Sequence, residues 1–198
     1  MKQTFKSGQT IMEMLVVFFI ISIGLYGVVT LIFSNVALQE QDQHNIIAMN
    51  LAREGLELAQ NVRDSNWLAG ADFDTGLGTD TGADCTAVPD WNGTDFPVFD
   101  FSVDGIAEAV VNSSNDPDSL GMFTNQSGIS TPYSRLITFA PICADPSNRS
   151  ITQVPDACTC TDATINEKIG VRVKVDMAWK RKGTPSSLTI YSDLYDWR

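Results

Sequence analysis

The sequence predicts an α+β fold: a long N-terminal helix, with a transmembrane half and an amphipathic half, packed on a C-terminal antiparallel β-sheet domain. Three observations predict it. Residues 14–33 carry no charge, and twenty apolar residues suffice to cross a bilayer as a helix. Apolar residues then recur at helical spacing, with no proline over residues 39–64. Near the C-terminus the pattern changes to strict alternation, the mark of a strand with one buried face. The expected divisions are a leader at 1–8, a transmembrane helix at 9–35, its amphipathic continuation at 36–67, and a loop-rich antiparallel β domain at 68–198.

The leader is short and polar, with Lys2 and Lys6. The apolar run after it is longer than a signal-peptide core and ends in "SNVALQEQ", a poor cleavage site, so the span is read as retained. The two lysines then place the N-terminus in the cytoplasm and the rest of the chain outside. Gly24 and Gly27 interrupt the span, either as flexible points or as places of close helix packing.

In the second half of the helix, Ile47, Leu51, Leu58 and Val62 stand four, seven and four apart, with Ala48, Ala52 and Ala59 alongside. They form one apolar face. Arg53, Glu54, Glu57, Arg63 and Asp64 mark the wet side. After Trp67 the composition turns to Gly, Asp and Thr, which favour loops. Asp72, Asp74, Asp80 and Asp84 are candidate oxygen ligands for calcium, but their spacing is not that of an EF-hand, and a solvated loop is the expectation. Trp67 and Trp91 are read as core or helix-end packing, with a ligand-binding surface as the alternative.

Strands are expected in "FPVFDFSV", with Phe99, Phe101 and Val103 alternating, and in "YSRLITFAPI". The clearest is "KIGVRVKVDMAWKRKG": Ile169, Val171, Val173, Val175, Met177 and Trp179 point one way, and Arg172, Lys174, Asp176 and Lys180 the other. "KGTPSS" is expected to turn the chain and "LTIYSDLYDW" to run back.

Cys85, Cys143, Cys158 and Cys160 all follow the span. An even count in an exported domain points to disulfides. Cys143 with Cys158 or Cys160 would close a loop of about 15 residues, leaving the other to reach Cys85. Spacing does not choose among the three pairings. The single residue between Cys158 and Cys160 argues against zinc.

The formal net charge is −11, and −13 without residues 1–8. So acidic a chain is a poor binder of nucleic acid. One histidine, His44, and no nucleophile elbow, P-loop or zinc-protease motif argue against an enzyme. No cofactor is expected.

Glu13 stands at the edge of the apolar run, where a carboxylate is costly. Gly8-Gln9-Thr10-Ile11-Met12-Glu13, followed by twenty uncharged residues, resembles the N-terminal signature of type IV pilins and pseudopilins. The resemblance implies cleavage between Gly8 and Gln9 by a prepilin peptidase and N-methylation of Gln9. It implies that Glu13, fifth in the mature chain, pairs with the N-terminal amine of a neighbouring subunit. It also implies an inner-membrane assembly platform and other pilins or pseudopilins as partners. The protein would be single-pass in the inner membrane before assembly and in an extracellular or periplasmic filament afterwards. "LAREGLELAQNVRDSNWL", "YSRLITF", "VRVKVDMAWKRKG" and "LYDW" are similar to the later helix and sheet of minor pilins and pseudopilins. The filament implied is a type IV pilus, a type II secretion pseudopilus or a DNA-uptake filament, among which the sequence does not choose, and the longer, looped domain leans toward a minor pilin. The alternative is a membrane-anchored binding protein or adhesin that uses the N-terminus only as an anchor.

Overall fold

The computed structural model describes residues 7–78, 85–91, 97–102, 105–106, 109–113, 123–124, 129–147, 150–153, 158–160, 165–181 and 183–196. Val103, Asp80 and Asp84 lie outside them, as does the side chain of Trp91. The chain falls into two compact units, residues 1–46 and 47–198. Helix α1 (Ser7–Ala69) has residues in both.

In the first unit α1 is exposed from Ile11 to Gln39, is uncharged from Met14 to Gln39, and continues through Gly24 and Gly27 without a break. It is long and apolar enough to cross a membrane. Three of its hydroxyls are satisfied locally. Ser22 Oγ donates to the Phe18 carbonyl at 2.7 Å, Thr30 Oγ1 to that of Tyr26 at 2.5 Å and Ser34 Oγ to that of Thr30 at 3.0 Å. Each bond spans one helical turn, so none of these three hydroxyls needs water or a second helix.

In the second unit the rest of α1 lies on an antiparallel sheet of eight strands among the described residues. They are β1 (Thr86–Trp91), β2 (Pro97–Asp100), β3 (Val110–Ser113), β4 (Phe123–Thr124), β5 (Ile129–Ala144), β6 (Ile151–Gln153), β7 (Glu167–Arg181) and β8 (Thr184–Tyr195). β5 is the spine. It pairs along its length with β7 and successively with β3, β1 and β6 on its other edge, while β8 adds to β7. Val171, Val173, Val175, Met177 and Trp179 are buried against the helix, as the alternation requires. Arg172 and Lys174 face outward, where Arg172 grips its cross-strand partner Asp193 through two bonds of 2.6 and 2.8 Å. The β7–β8 turn is tighter than expected: pairing runs to Arg181 opposite Thr184, so Thr184–Ser187 belong to the strand.

Small residues make the helix–sheet contact. Ala48, Leu51, Ala52, Gly55 and Ala59 are buried, spaced three or four apart. A Cβ on Gly55 would stand 3.1 Å from Ile137 Cδ1 and 3.5 Å from Val175 Cγ2, so the absent side chain lets the helix sit close. The helix face differs from the sequence reading: Ile47 is exposed, Leu58 is half-buried, and Leu56 joins the core as a partly buried member. The helix ends at Gly70, whose φ of 72° suits a residue without Cβ. Gly70 N–H donates to the Trp67 carbonyl and Ala71 N–H to that of Asn66, closing the helix by a Schellman motif. The following loop folds back, burying Phe73 and Leu77.

Disulfides join Cys85 to Cys158 and Cys143 to Cys160. Two residues of one short segment are thus tied to the start of β1 and the end of β5. The linked positions are 17 apart for Cys143–Cys160 and 73 apart for Cys85–Cys158. In the chain-entropy model this predicts losses of about 3 and about 4 kcal/mol on replacing each pair by alanine. Chemical denaturation of the two double variants checks the order, and a non-reducing peptide map checks the pairing.

Candidate assembly site and neighbouring surfaces

Gly8 and Gln9 lie in the first turn of α1, and Glu13 follows one turn later. Glu13 is exposed, and among the described residues no hydrogen bond or ion pair of the chain engages it. Around it Ile11, Met12, Met14 and Leu15 are 61–67% exposed. A carboxylate therefore sits within an apolar collar. In hydrocarbon such a group needs a counter-charge from another molecule, or an end position near the headgroups.

The second unit has a charged group the sequence reading did not single out. Arg135, in the middle of β5, points to the helix and is 2% exposed. Its guanidinium NH1 donates to the Leu51 carbonyl at 2.8 Å and lies 3.2 Å from Glu54 Oε2. Burial pulls the Arg135 pKa down, and the charge and hydrogen bond of Glu54 oppose that. Both partners belong to one turn of α1, so Arg135 is a clamp between sheet and helix. It sits at an inward position of "YSRLITF", and that register is the signal that marks it.

Of the four candidate aspartates, Asp72 and Asp74 lie among the described residues, and Asp80 and Asp84 outside them. Asp72 is exposed, while Asp74 is buried and ion-paired with Lys168 at the start of β7. This pair fastens the loop after α1 to the sheet. Among the described residues no three His, Cys, Asp or Glu side chains come together. Asn66 Nδ2 also holds the loop, donating to the carbonyls of Phe73 and Thr75 at 3.2 and 2.8 Å. Trp67 is half-buried against the core, with the Arg63 guanidinium 4.6 Å from its ring centre. It is therefore a packing residue.

Between the end of α1, this loop and β2 opens a cavity of about 780 Å³. Its apolar walls include Val62, Leu68, Ala69, Val98, Phe99 and Phe101, and Leu68 is 90% exposed. Phe99 and Phe101 owe their place to Phe139 of β5, whose ring centre lies 4.9 and 6.1 Å from theirs.

No protein-family model, no curated protein and no solved structure matches this chain.

Proposed function

We propose that the chain is a pilin-like structural subunit, held in the inner membrane by its N-terminal helix and then packed into a type IV pilus-like or pseudopilus-like filament. The observation that carries this reading is the run Gly8-Gln9-Thr10-Ile11-Met12-Glu13 leading directly into an exposed, uncharged helix. Cleavage after Gly8 leaves an ammonium on Gln9. In an apolar filament core, Glu13 of one subunit and the amine of the next neutralise each other, and the pair fixes the axial register between them. The apolar collar around Glu13 supports this role. The helix–sheet unit that follows in the chain supplies a folded body to display outside the membrane.

The test is the N-terminus of the protein from its native host. Intact mass and N-terminal sequencing are expected to give a chain beginning at Gln9 with one added methyl group. Replacing Gly8 by a bulky residue is expected to leave the full precursor in the membrane, because the peptidase must approach the backbone closely there. A mature chain beginning at Met1, or cut near Ala37, contradicts the reading.

A further inference from the structure

Among the described residues, β2, β4, β6 and β8 each pair with one strand only. The first three span four, two and three residues, and β8 spans twelve. A free strand edge is a row of N–H and C=O groups ready to pair with another chain, and proteins guard it with shortness, lysine, proline or a bulge. β8 has little of this protection. Its register against β7 runs unbroken from Thr184 to Tyr195. It carries no Lys or Arg, its one proline is Pro185 beside the turn, and its one charge, Asp193, is engaged by Arg172.

The register also says which backbone groups face outward. Asp196 N–H donates to the Ile169 carbonyl at 2.9 Å, so these two are a directly hydrogen-bonded pair of the ladder. Such pairs recur at every second residue of an antiparallel ladder. Leu194, Ser192, Ile190, Leu188 and Ser186 therefore turn their N–H and C=O groups toward β7. Tyr195, Asp193, Tyr191, Thr189 and Ser187 turn theirs away from it, to a side where no described strand pairs. Side chains alternate as well. Leu188, Ile190 and Leu194 lie on the helix face, the first two only partly buried, while Ser187, Thr189, Tyr191 and Tyr195 are exposed. The apolar layer thus ends part-covered at this edge.

We propose that the outer edge of β8 takes up an extended segment of another polypeptide as an added antiparallel strand. Main-chain bonds supply affinity in strand addition, and alternate side chains supply specificity. The segment that fits has no proline opposite Ser187 to Tyr195, and an apolar side chain at every second position, beside Leu188 and Ile190. It needs no charge, because Asp193 is already neutralised by Arg172.

A second copy of β8 fits less well. α1 passes Val175 at Gly55 and leads to the loop whose Asp74 meets Lys168, so it runs opposite to β7. Two β8 edges paired antiparallel are related by a two-fold axis through the sheet, and residues 47–69 of the two copies would then run in opposite directions. That suits neither subunits anchored in one membrane nor a polar filament. The choice of a foreign strand over a second copy therefore rests on the filament reading, whereas the open edge does not.

The test is amide hydrogen exchange, read residue by residue by NMR on the full chain in detergent. In the protein alone, the amides of Ser187, Thr189, Tyr191, Asp193 and Tyr195 are expected to exchange at least about tenfold faster than those of Leu188, Ile190, Ser192 and Leu194 between them. The probe is a synthetic peptide of alternating threonine and valine, long enough to cover 187–195, with lysines at both ends. It is expected to slow the first group by about tenfold or more and to leave the second unchanged. The same peptide with its central amides N-methylated keeps the charge but lacks the donors, and is expected to leave both groups unchanged. Tyr191→Pro removes an outward N–H and no bond to β7, and is expected to weaken binding of the first peptide while the second group keeps its protection. The comparison of the two peptides needs no variant of the protein. Slow exchange of the first group in the protein alone, no slowing by the first peptide, or equal slowing by both overturns the proposal. Self-association of the full chain that Tyr191→Pro abolishes also overturns it, since the occupant would then be a second copy. The N-terminus of the native protein separates this idea from the filament reading. A chain beginning at Gln9 whose amides ignore the peptide leaves the filament standing and the added strand fallen. A chain beginning at Met1 whose outward amides are slowed leaves the added strand standing and the filament fallen.

Discussion

Glu13→Gln protein is expected to insert, be cleaved and fold normally, yet to be nearly absent from sheared filaments. The substitution keeps the shape of the side chain and removes its charge. The lone subunit loses nothing, because among the described residues Glu13 has no partner within its own chain. In the proposed filament the loss falls on the neighbour, whose Gln9 ammonium would be buried without a counter-charge. Removing one partner of a buried pair costs about 3–5 kcal/mol, a hundredfold or more in incorporation. The measurement is the ratio of variant to wild type in sheared filaments, against the same ratio in membranes. Equal ratios would reduce Glu13 to a headgroup-level residue and remove the main support for the assembly mechanism.

Glu54→Ala is expected to destabilise the second unit by about 3 kcal/mol, and Arg135→Met to cost far less. Arg135 is enclosed between β5 and α1, so removing Glu54 takes a counter-charge 3.2 Å away from a buried guanidinium. Replacing the arginine by an apolar residue of similar length removes the charge and the need for a counter-charge together, which is often neutral or stabilising. The double variant Glu54→Ala/Arg135→Met should therefore recover most of the loss. Chemical denaturation of the four proteins in detergent closes the cycle. If Arg135→Met alone loses as much as Glu54→Ala, the hydrogen bond to the Leu51 carbonyl, rather than the balance of charge, holds helix to sheet.

The parts of this fold governed by period were legible in the sequence. Val171 to Trp179 alternate because one face of β7 meets a helix and the other meets water. The apolar run before residue 34 was legible for the same reason, as its whole perimeter is uniform. The inner face of the helix was legible in part. Leu51, Ala48, Ala52 and Ala59 are buried as their spacing implies, while Gly55 has no side chain to give an apolar signal, yet it sets how closely helix and sheet approach. Larger residues drew the eye to Ile47 and Leu58, while Leu56 packs on the core. Arg135 and Asp74 were hidden by their charge, because burial of an ionised group depends on a partner far away in sequence: Glu54 for one, Lys168 for the other. Cysteine pairing was illegible for a related reason. Cys158 and Cys160 are equivalent in spacing and differ only in which strand end each meets.

The hydroxyls of Ser22, Thr30 and Ser34 each bond back to their own helix. On their flank of the helix these three hydroxyls therefore present themselves to lipid and protein alike. Acyl tails are about as apolar as leucine side chains, so exchanging one surround for the other involves little transfer energy of its own. A subunit leaving the bilayer for a bundle of like helices would pass between nearly equivalent solvents. The preference for one over the other is then left to shape and to the single carboxylate at the helix's start. A polar substitution on this flank that cannot fold back onto its own backbone, such as Ile23→Asn, would end that indifference and hold the helix wherever it first found a partner.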